Sequence, residues 1–166
     1  SDIYRKLKIN YGIGFDIHRL KKGKELYLGG VKIPFHSGLD GHSDGDVIIH
    51  SLIDGILGAC KLKDIGFHFS DRDKKYKNIS SKLMLDQIII IVEKKGFIIN
   101  NIDINLITEN PKIKKIRSKI EKNLSRICKI SVNKINIKGK TVEKLGLIGK
   151  EKAIACEVII SINKYD

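Results

Sequence analysis

The segment His42-Ser43-Asp44-Gly45-Asp46-Val47-Ile48-Ile49-His50 is the part of the sequence around which the fold is organised. It gathers imidazoles, carboxylates and a hydroxyl immediately before an apolar stretch whose pattern predicts a helix. Asp44 or Asp46 can cap this helix, since a short side chain with an acceptor oxygen satisfies free N–H groups of the first turn. We therefore expect a helix that runs to about Cys60 and carries metal-binding and phosphate-binding groups at its N-terminus.

A second group of polar residues, Asp16-Ile17-His18, lies at the end of a predicted strand. Residues two apart in a strand point to the same face, so its first and third side chains can reach one ion. Together with His50 they offer one carboxylate and two imidazoles, which leaves the fourth tetrahedral position open, as in catalytic zinc sites. A carboxylate four residues from His50 can orient its ring, and the alternatives are Asp46 and Asp54.

The bulk composition is that of one compact domain spanning residues 1–166, with 42% hydrophobic residues. The longest aliphatic run, 88–92, is far shorter than the roughly 20 residues of a membrane span, so we expect no transmembrane segment. The three cysteines are too few and too widely spaced for a disulfide framework or a CxxC zinc site. We expect Cys60, Cys128 and Cys156 to be buried thiols in a reducing compartment.

The net charge of +13 raises the possibility of a nucleic-acid partner, because clustered cations bind phosphate backbones. The excess is lysine spread along the chain, however, and it accompanies abundant Ile and Asn, all of which have A+T-rich codons. Aromatic residues that stack on bases are scarce, and there is no Trp. We therefore expect no nucleic-acid partner, and keep a basic RNA-binding domain with a structural metal site as the alternative.

Hydrophobic periodicity predicts alternating strands and helices along the rest of the chain. Strands are expected over 9–17, 97–109, 133–138 and 154–162, and a hairpin or bulged strand over 25–33. Helices are expected over 47–60, with the apolar residues on one side, over 80–95, and after Pro111. The segment 64–78 is expected to be an exposed, mobile loop. The predicted fold is α/β, an α+β sandwich with a single mixed sheet and helices packed on one face.

Two further segments each have a functional and an ordinary interpretation. In Thr141-Val142-Glu143-Lys144-Leu145-Gly146, the carboxylate of Glu143 could hold Mg²⁺ between phosphate oxygens, or simply be solvated in a turn. Asn110-Pro111-Lys112 offers amides and a cation to a base or a phosphate, or is simply a helix start. By contrast, Gly139-Lys140-Thr141 lacks the earlier glycine of a Walker A loop, and Gly12-Ile13-Gly14 lacks the third glycine of a dinucleotide fingerprint.

Taken in order, these motifs closely resemble those of the 2-C-methyl-D-erythritol 2,4-cyclodiphosphate synthases, over about residues 9–162. The segments that carry the resemblance are Gly14-Phe15-Asp16-Ile17-His18, Gly41-His42-Ser43-Asp44-Gly45-Asp46-Val47 with His50, Asp64-Ile65-Gly66, Asn110-Pro111-Lys112, Thr141-Val142-Glu143-Lys144-Leu145-Gly146 and Ala155-Cys156-Glu157. The resemblance implies an enzyme of non-mevalonate isoprenoid biosynthesis. Its reaction would convert 4-diphosphocytidyl-2-C-methyl-D-erythritol 2-phosphate to the 2,4-cyclodiphosphate and CMP.

The resemblance also implies roles for individual residues. Asp16, His18 and His50 would bind Zn²⁺, Glu143 would contact a Mg²⁺ or Mn²⁺ that bridges the diphosphate, and His42 and Thr141 would steady the transition state. The remaining residues that would contact substrate are Ser43, Asp64, Ile65, Gly66, Phe69, Asp71, Asp73, Thr108, Pro111, Lys112, Ile113, Lys114, Lys140 and Val142.

Family members are homotrimers with active sites between neighbouring subunits, so one chain should contain only parts of each site. Near the trimer axis, where some members hold an isoprenoid diphosphate, the corresponding residues are Leu147, Lys150 and Glu157. The only methionine is Met84, which leaves room for a removed leader. The expected location is a plastid (apicoplast) stroma if the source is eukaryotic, and otherwise a bacterial cytoplasm.

Overall fold

The first strand separates two environments because its side chains alternate between the faces of a sheet. In the computed structural model, which describes residues 6–165, β1 spans Leu7–Lys22. Its odd-numbered residues from Leu7 to Ile17 are exposed, whereas Gly12, Gly14, Asp16 and His18 face the helices. The strand predicted over 9–17 is thus longer than expected, and His18 lies within it rather than beyond its end.

The main sheet has five strands in the order β4-β1-β7-β5-β6. The other members are β4 (Ser37–Leu39), β5 (Phe97–Ile107), β6 (Ile135–Lys140) and β7 (Ala153–Tyr165). Only β5 and β6 run parallel, and the other neighbours are antiparallel, so the predicted mixed sheet is confirmed. A separate hairpin of β2 (Leu26–Leu28) and β3 (Val31–Ile33) turns at Gly29-Gly30, both with positive φ.

Three longer helices cover one face of the sheet, as predicted: α1 (Val47–Ala59), α3 (Ser81–Lys94) and α4 (Arg117–Cys128). The last of these begins later than expected, because a 3₁₀ turn over Ile113–Lys115 follows Pro111. The segment 64–78 is not wholly irregular, since it contains α2 (Ile65–His68) and a 3₁₀ turn over Lys74–Tyr76. A further short helix, α5 (Gly146–Gly149), and strand β4 were not anticipated.

Helix α1 is buried on nearly all sides, which corrects the prediction of a single apolar side. Its side chains from Val47 to Ala59 are buried apart from His50, Asp54 and Gly58. The reason is its central position, with the sheet on one side and α3 on another. The same core encloses the three thiols, so their predicted burial is confirmed. Among the described residues, no helix is long and apolar enough to cross a membrane.

The packing of α1 on β1 is exceptionally close, because two glycines of β1 face the helix. A Cβ on Gly14 would lie 1.7 Å from the Ser51 carbonyl oxygen, and one on Gly12 would lie 1.8 Å from that of Gly55. No side chain fits in this space, so backbone meets backbone. The seam between β1 and α1 therefore fixes the distance between the ligand motif of the strand and that of the helix.

Replacing Gly14 with Ala is expected to lower the free energy of unfolding by about 3 kcal/mol, since the added methyl group must push α1 away from β1. Gly58→Ala is the matched control within the same helix, because its Cβ would meet only Gly12 Cα at 3.9 Å. That control is expected to stabilise the protein by up to about 1 kcal/mol through helix propensity. Urea unfolding at one protein concentration measures both, and equal stability of Gly14→Ala and the parent would contradict the close seam.

Candidate active site

Strand β1 and helix α1 bring the three predicted zinc ligands together. Oδ2 of Asp16 lies 3.2 Å from Nδ1 of His18 and 3.2 Å from Nδ1 of His50. One ligand atom from each residue lies within 4.8 Å of the others. Asp16 and His18 share the helix-facing side of β1, and His50 is in the first turns of α1. The convergence expected from the sequence is therefore present.

The electrostatics of the cluster favour a cation. Burial alone would raise the pKa of the Asp16 carboxyl, but hydrogen bonds with His18 and His50 outweigh it and lower that pKa. The hydrogen bond with Asp16 raises the pKa of His18, against the opposing effect of burial. Nδ1 of His18 also lies 2.9 Å from the Ile17 carbonyl oxygen, so a proton on this nitrogen has two acceptors. The lowered pKa of Asp16 favours its ionised form, and the raised pKa of His18 favours a positive charge beside it.

The donor set and its spacing suit zinc. Ligands that bind Zn²⁺ tetrahedrally at about 2.0–2.1 Å stand roughly 3.3 Å apart, close to the separations of 3.2 Å around Asp16 Oδ2. One carboxylate and two imidazoles make a three-ligand set with a position left for a reacting group. The three side chains are half-buried, so an ion here would be shielded from bulk water while reachable from one side. The residues present therefore fit a catalytic metal.

The partner that holds the far side of the His50 ring is not one that the sequence suggested. Nε2 of His50 lies 2.8 Å from Oγ of Ser81, the first residue of α3. The Ser81 hydroxyl in turn makes a short hydrogen bond to Oδ1 of Asp44. Nothing in the pair Ser80-Ser81 distinguishes this serine from an ordinary helix start, so sequence reasoning missed it.

The two carboxylates predicted to orient His50 have other roles, which corrects that prediction. Asp46 caps α1 by accepting from Ile49 N, and its two oxygens also accept from Gly29 N and Gly30 N. Burial raises the pKa of Asp46 to about 6 despite these donors. Asp54 accepts from Ile65 N, and burial raises its pKa as well. Of the two alternatives for the helix cap, Asp46 is the one observed.

A cavity of about 450 Å³ opens beside the metal ligands. It is lined by six further residues that the sequence predicted, namely His42, Ser43, Ile65, Gly66, Phe69 and Asp71. Arg72 and Tyr76 also line it and were not predicted. His42 is largely exposed, with Nε2 3.6 Å from Oδ2 of Asp71, and the Ser43 hydroxyl donates to the Ile79 carbonyl in a short bond. The cavity therefore combines a metal set with polar and cationic side chains, as an anionic substrate requires.

Two predicted residues of this region do not line the cavity but shape its wall. Asp64 caps α2 by accepting from Phe67 N at 2.9 Å, and Asp73 caps the next 3₁₀ turn by accepting from Lys75 N at 3.1 Å. Between the two caps, Phe69 is buried against the core with its ring 5.2 Å from that of Tyr76. Each of the two short helical turns in segment 64–78 thus begins at an aspartate that caps it.

The remaining predicted substrate residues form a second cluster where β5 and β6 end. Because these strands run parallel, their carboxyl ends meet at one edge of the sheet. Thr108 N donates to the Lys140 carbonyl, and the Thr108 hydroxyl donates to the Asn110 carbonyl. The Asn110-Pro111 peptide bond is cis, and Ile113 packs over Gly139, where a Cβ would lie 2.5 Å from its Cγ2. Lys112 and Lys114 are exposed beside this edge.

Glu109 holds the second cluster together and was also missed by sequence reasoning. It is buried, and its Oε1 accepts from Val142 N and Lys144 N at 3.1 Å each. Glu143, between those two amides, has a φ of 55°, and its side chain is exposed together with that of Thr141. The buried carboxylate therefore fixes the turn that presents the two predicted catalytic and metal-binding groups.

The two clusters do not share a cavity within one chain. None of the second-cluster residues from Thr108 to Lys114 or from Lys140 to Lys144 lines the cavity at the metal ligands. Leu147 and Lys150 are exposed at α5, and Glu157 is exposed on the open face of the sheet, where it accepts from Asn105 Nδ2 at 2.8 Å. The predicted site residues of one chain thus form two separate clusters. We call the cluster at the metal ligands the first half-site and the cluster at the ends of β5 and β6 the second half-site.

Comparison with known proteins agrees with this arrangement. A model of the YgbB family matches residues 9–163. The 2-C-methyl-D-erythritol 2,4-cyclodiphosphate synthase of Clostridium tetani is 46% identical over 92% of this chain and 97% of its own length. The bifunctional enzyme IspD/IspF of Pelagibacter ubique is 58% identical over the whole chain, which spans only 45% of that relative.

Among solved structures, IspF of Plasmodium falciparum in a CDP complex superposes with a TM-score of 0.84 at 42% identity. The superposition covers 98% of this chain and 99% of that one. The fold, the metal-ligand cluster and the full-length matches lead to one conclusion. The chain belongs to the YgbB family, together with relatives named 2-C-methyl-D-erythritol 2,4-cyclodiphosphate synthase.

Proposed function

We propose that this chain, as one domain over residues 1–166, converts 4-diphosphocytidyl-2-C-methyl-D-erythritol 2-phosphate to the 2,4-cyclodiphosphate and CMP. The observation that carries the proposal is the convergence of Asp16, His18 and His50 beside a polar cavity in a chain of this family. In the reaction an oxygen of the 2-phosphate attacks the β-phosphorus, and the bond from that phosphorus to the CMP oxygen breaks. The attacking group is already ionised, so no strong base is required.

Both reacting groups are anionic, so the site must offset their repulsion. Asp16, His18 and His50 would hold Zn²⁺ and Glu143 would hold Mg²⁺ or Mn²⁺, and bound cations supply Lewis-acid stabilisation of the negative charge. His42 and Ser43 lie at the cavity where a phosphate oxygen would need donors, and Arg72 adds a fixed positive charge. Thr141 would donate a further hydrogen bond from the second half-site.

Binding of the substrate in a folded conformation would lower the activation barrier further. Holding both phosphates in one orientation can contribute roughly 7–11 kcal/mol in favourable systems. In the first half-site, His42 and Ser43 would hold the 2-phosphate, and Asp64 and Gly66 would contact the methylerythritol chain. The further substrate contacts there would be Ile65, Phe69, Asp71 and Asp73. The caps at Asp64 and Asp73 support this role, because they fix the wall of the cavity before substrate arrives.

We assign the cytidine pocket to the second half-site. The carboxyl ends of parallel strands are a common place for nucleotides, and here they bring together Thr108–Lys114 and Lys140–Val142. Pro111, Lys112, Ile113 and Lys114 would contact the base and ribose, and Lys140 and Val142 would contact the phosphates. The CDP complex of the 42% identical Plasmodium falciparum protein supports a cytidine nucleotide as the ligand.

We further propose that three copies of the chain assemble, so that half-sites of neighbouring subunits complete each active site. The open face of the sheet supports this, because it exposes a continuous apolar column formed by Leu7, Ile9, Tyr11, Ile13, Phe15 and Ile17. Leu147, Lys150 and Glu157 would then surround an isoprenoid diphosphate near the trimer axis. The 58% identical bacterial relative supports a bacterial cytoplasm over a plastid stroma.

Removing one metal ligand tests the active-site assignment. His50→Ala is expected to lower bound zinc to background and CMP release by at least about 100-fold, since metal charge stabilisation is worth several kcal/mol and each 1.4 kcal/mol is a factor of ten. His36→Ala is the matched control, because His36 is exposed and belongs neither to the ligand cluster nor to the cavity beside it; its ring contacts Phe35 and Ser37 Oγ. Metal analysis measures the zinc bound to each variant, and a CMP assay measures the activity of each variant.

Full activity of His50→Ala would refute the assignment of the metal site. A chain that bound RNA in a steeply salt-dependent manner, without affinity for cytidine nucleotides, would refute the proposed reaction and support the alternative of an RNA-binding domain.

Placing a charge on the open face tests the assembly. Ile13→Glu is expected to yield monomers without CMP release, because a buried unpaired carboxylate opposes association. Zinc binding is expected to persist, since all three ligands belong to one chain. Ile90→Glu is the control, as Ile90 is also exposed, at 47% against 71% for Ile13, but lies on α3. Sedimentation velocity gives the mass, and an unaltered trimer of Ile13→Glu would contradict this interface.

The buried carboxylate of the second half-site can be tested separately. Glu109→Ala leaves two amides without their acceptor, at a cost of about 1–3 kcal/mol, and is expected to weaken CDP binding by about tenfold or more. Glu109→Gln keeps one acceptor oxygen and is expected to bind CDP almost as the parent does. Titration calorimetry measures both, and parental CDP affinity of Glu109→Ala would overturn the role of this carboxylate.

A further inference from the structure

Ser81 occupies a buried position between a metal ligand and a carboxylate. Its side chain has no exposed surface, and its Oγ lies 2.8 Å from Nε2 of His50. On its other side, the hydroxyl makes a short hydrogen bond to Oδ1 of Asp44, and the Ser81 amide donates to Oδ2 at 3.0 Å. Neither Ser81 nor Asp44 lines the cavity at the metal ligands, and the contact of Ser81 with Nε2 of His50 connects the pair to the ligand cluster.

The protons available to Asp44, Ser81 and His50 decide which atom donates and which accepts in each hydrogen bond. An ionised carboxylate only accepts hydrogen bonds, so Asp44 must receive the single hydroxyl proton of Ser81. The serine oxygen is then left as an acceptor towards His50, and Nε2 of the neutral ring must carry the ring proton. Nδ1 can then give its lone pair to a cation that replaces the proton between this nitrogen and Asp16 Oδ2, 3.2 Å away.

We propose that Asp44 and Ser81 are positioning residues that hold His50 in the tautomer and ring orientation required for metal binding through Nδ1. The inference rests on the metal centre of the proposed function and adds residues to it that neither touch the ion nor the substrate. A carboxylate that acts through an intermediate group on a ligand imidazole raises the basicity of that ligand and fixes its ring plane.

The surroundings of His50 leave this task to Ser81. The two carboxylate oxygens of Asp46 accept from the amides of Gly29, Gly30 and Ile49. The carboxylate of Asp54 accepts from Ile65 N. Asp44 is also well placed to remain an acceptor, because it sits at the first amide of α3, where the helix dipole favours negative charge. The loop before α1 and the start of α3 thus meet at the unligated side of the histidine.

Two variants interrupt the contacts in different ways. Ser81→Ala removes the acceptor at Nε2, and Asp44→Asn allows the amide to donate to the serine, which then donates to Nε2 and favours the tautomer with a proton on Nδ1. Both are expected to weaken zinc binding by about 10–100-fold in competition with a chelator. In the zinc-loaded parent, ¹H–¹⁵N spectra of the imidazoles are expected to show a slowly exchanging proton on Nε2 of His50, because Ser81 Oγ accepts it, and Ser81→Ala is expected to lose this protection.

Ser80→Ala is the matched control, since this neighbouring serine only caps α3 through Leu83 N. It is expected to lower stability by about 1 kcal/mol and to leave zinc affinity and the His50 tautomer unchanged. Parental zinc affinity in Ser81→Ala, or ligation of the metal by Nε2 rather than Nδ1 of His50 in the parent, would overturn the inference. If the parent itself bound no zinc, the proposed metal centre would fail, whereas a parent that bound zinc no more tightly than Ser81→Ala would refute only the role of Ser81.

Discussion

The close contact between the backbones of β1 and α1 is the constraint on which the rest of the molecule depends. Gly12 and Gly14 allow the helix to approach until carbonyl oxygens of Ser51 and Gly55 occupy the space of missing side chains. Two and four residues after Gly14 on the same face of the strand, Asp16 and His18 lie beside His50 from the first turns of the helix. A metal set that spans two elements needs their separation fixed to a fraction of an ångström, and a seam without side chains provides that.

The predicted site residues lie in two separate places on this framework. Helix α1 and its preceding loop serve the metal cluster, whereas the parallel pair β5 and β6 ends at a different part of the sheet. Each place is organised by a carboxylate that accepts from backbone amides, Asp46 in the first and Glu109 in the second. Each of these carboxylates fixes the local backbone on which the predicted site residues lie.

Local pattern predicted most of the architecture and the metal ligands. The period of two in β1 placed Asp16 and His18 on one face, and the cap and apolar run placed His50 in α1. Pattern failed where a role depends on tertiary contact. The burial of α1 on nearly all sides follows from its central position, and Ser81 reaches His50 only because α3 docks beside α1. Likewise, Glu109 is an ordinary strand-end residue until Val142 and Lys144 fold back over it.

The hydrogen bond between Asp16 and His18 makes metal loading an exchange of cations. In the metal-free protein a proton is favoured on His18, because the neighbouring carboxylate raises the pKa of that imidazole. A metal ion that binds through this imidazole must displace the proton, so metal binding releases protons and is opposed as the pH falls. Protons and metal ions therefore compete for the same imidazole, and the side chain that raises its pKa, Asp16, is also a predicted ligand of the ion.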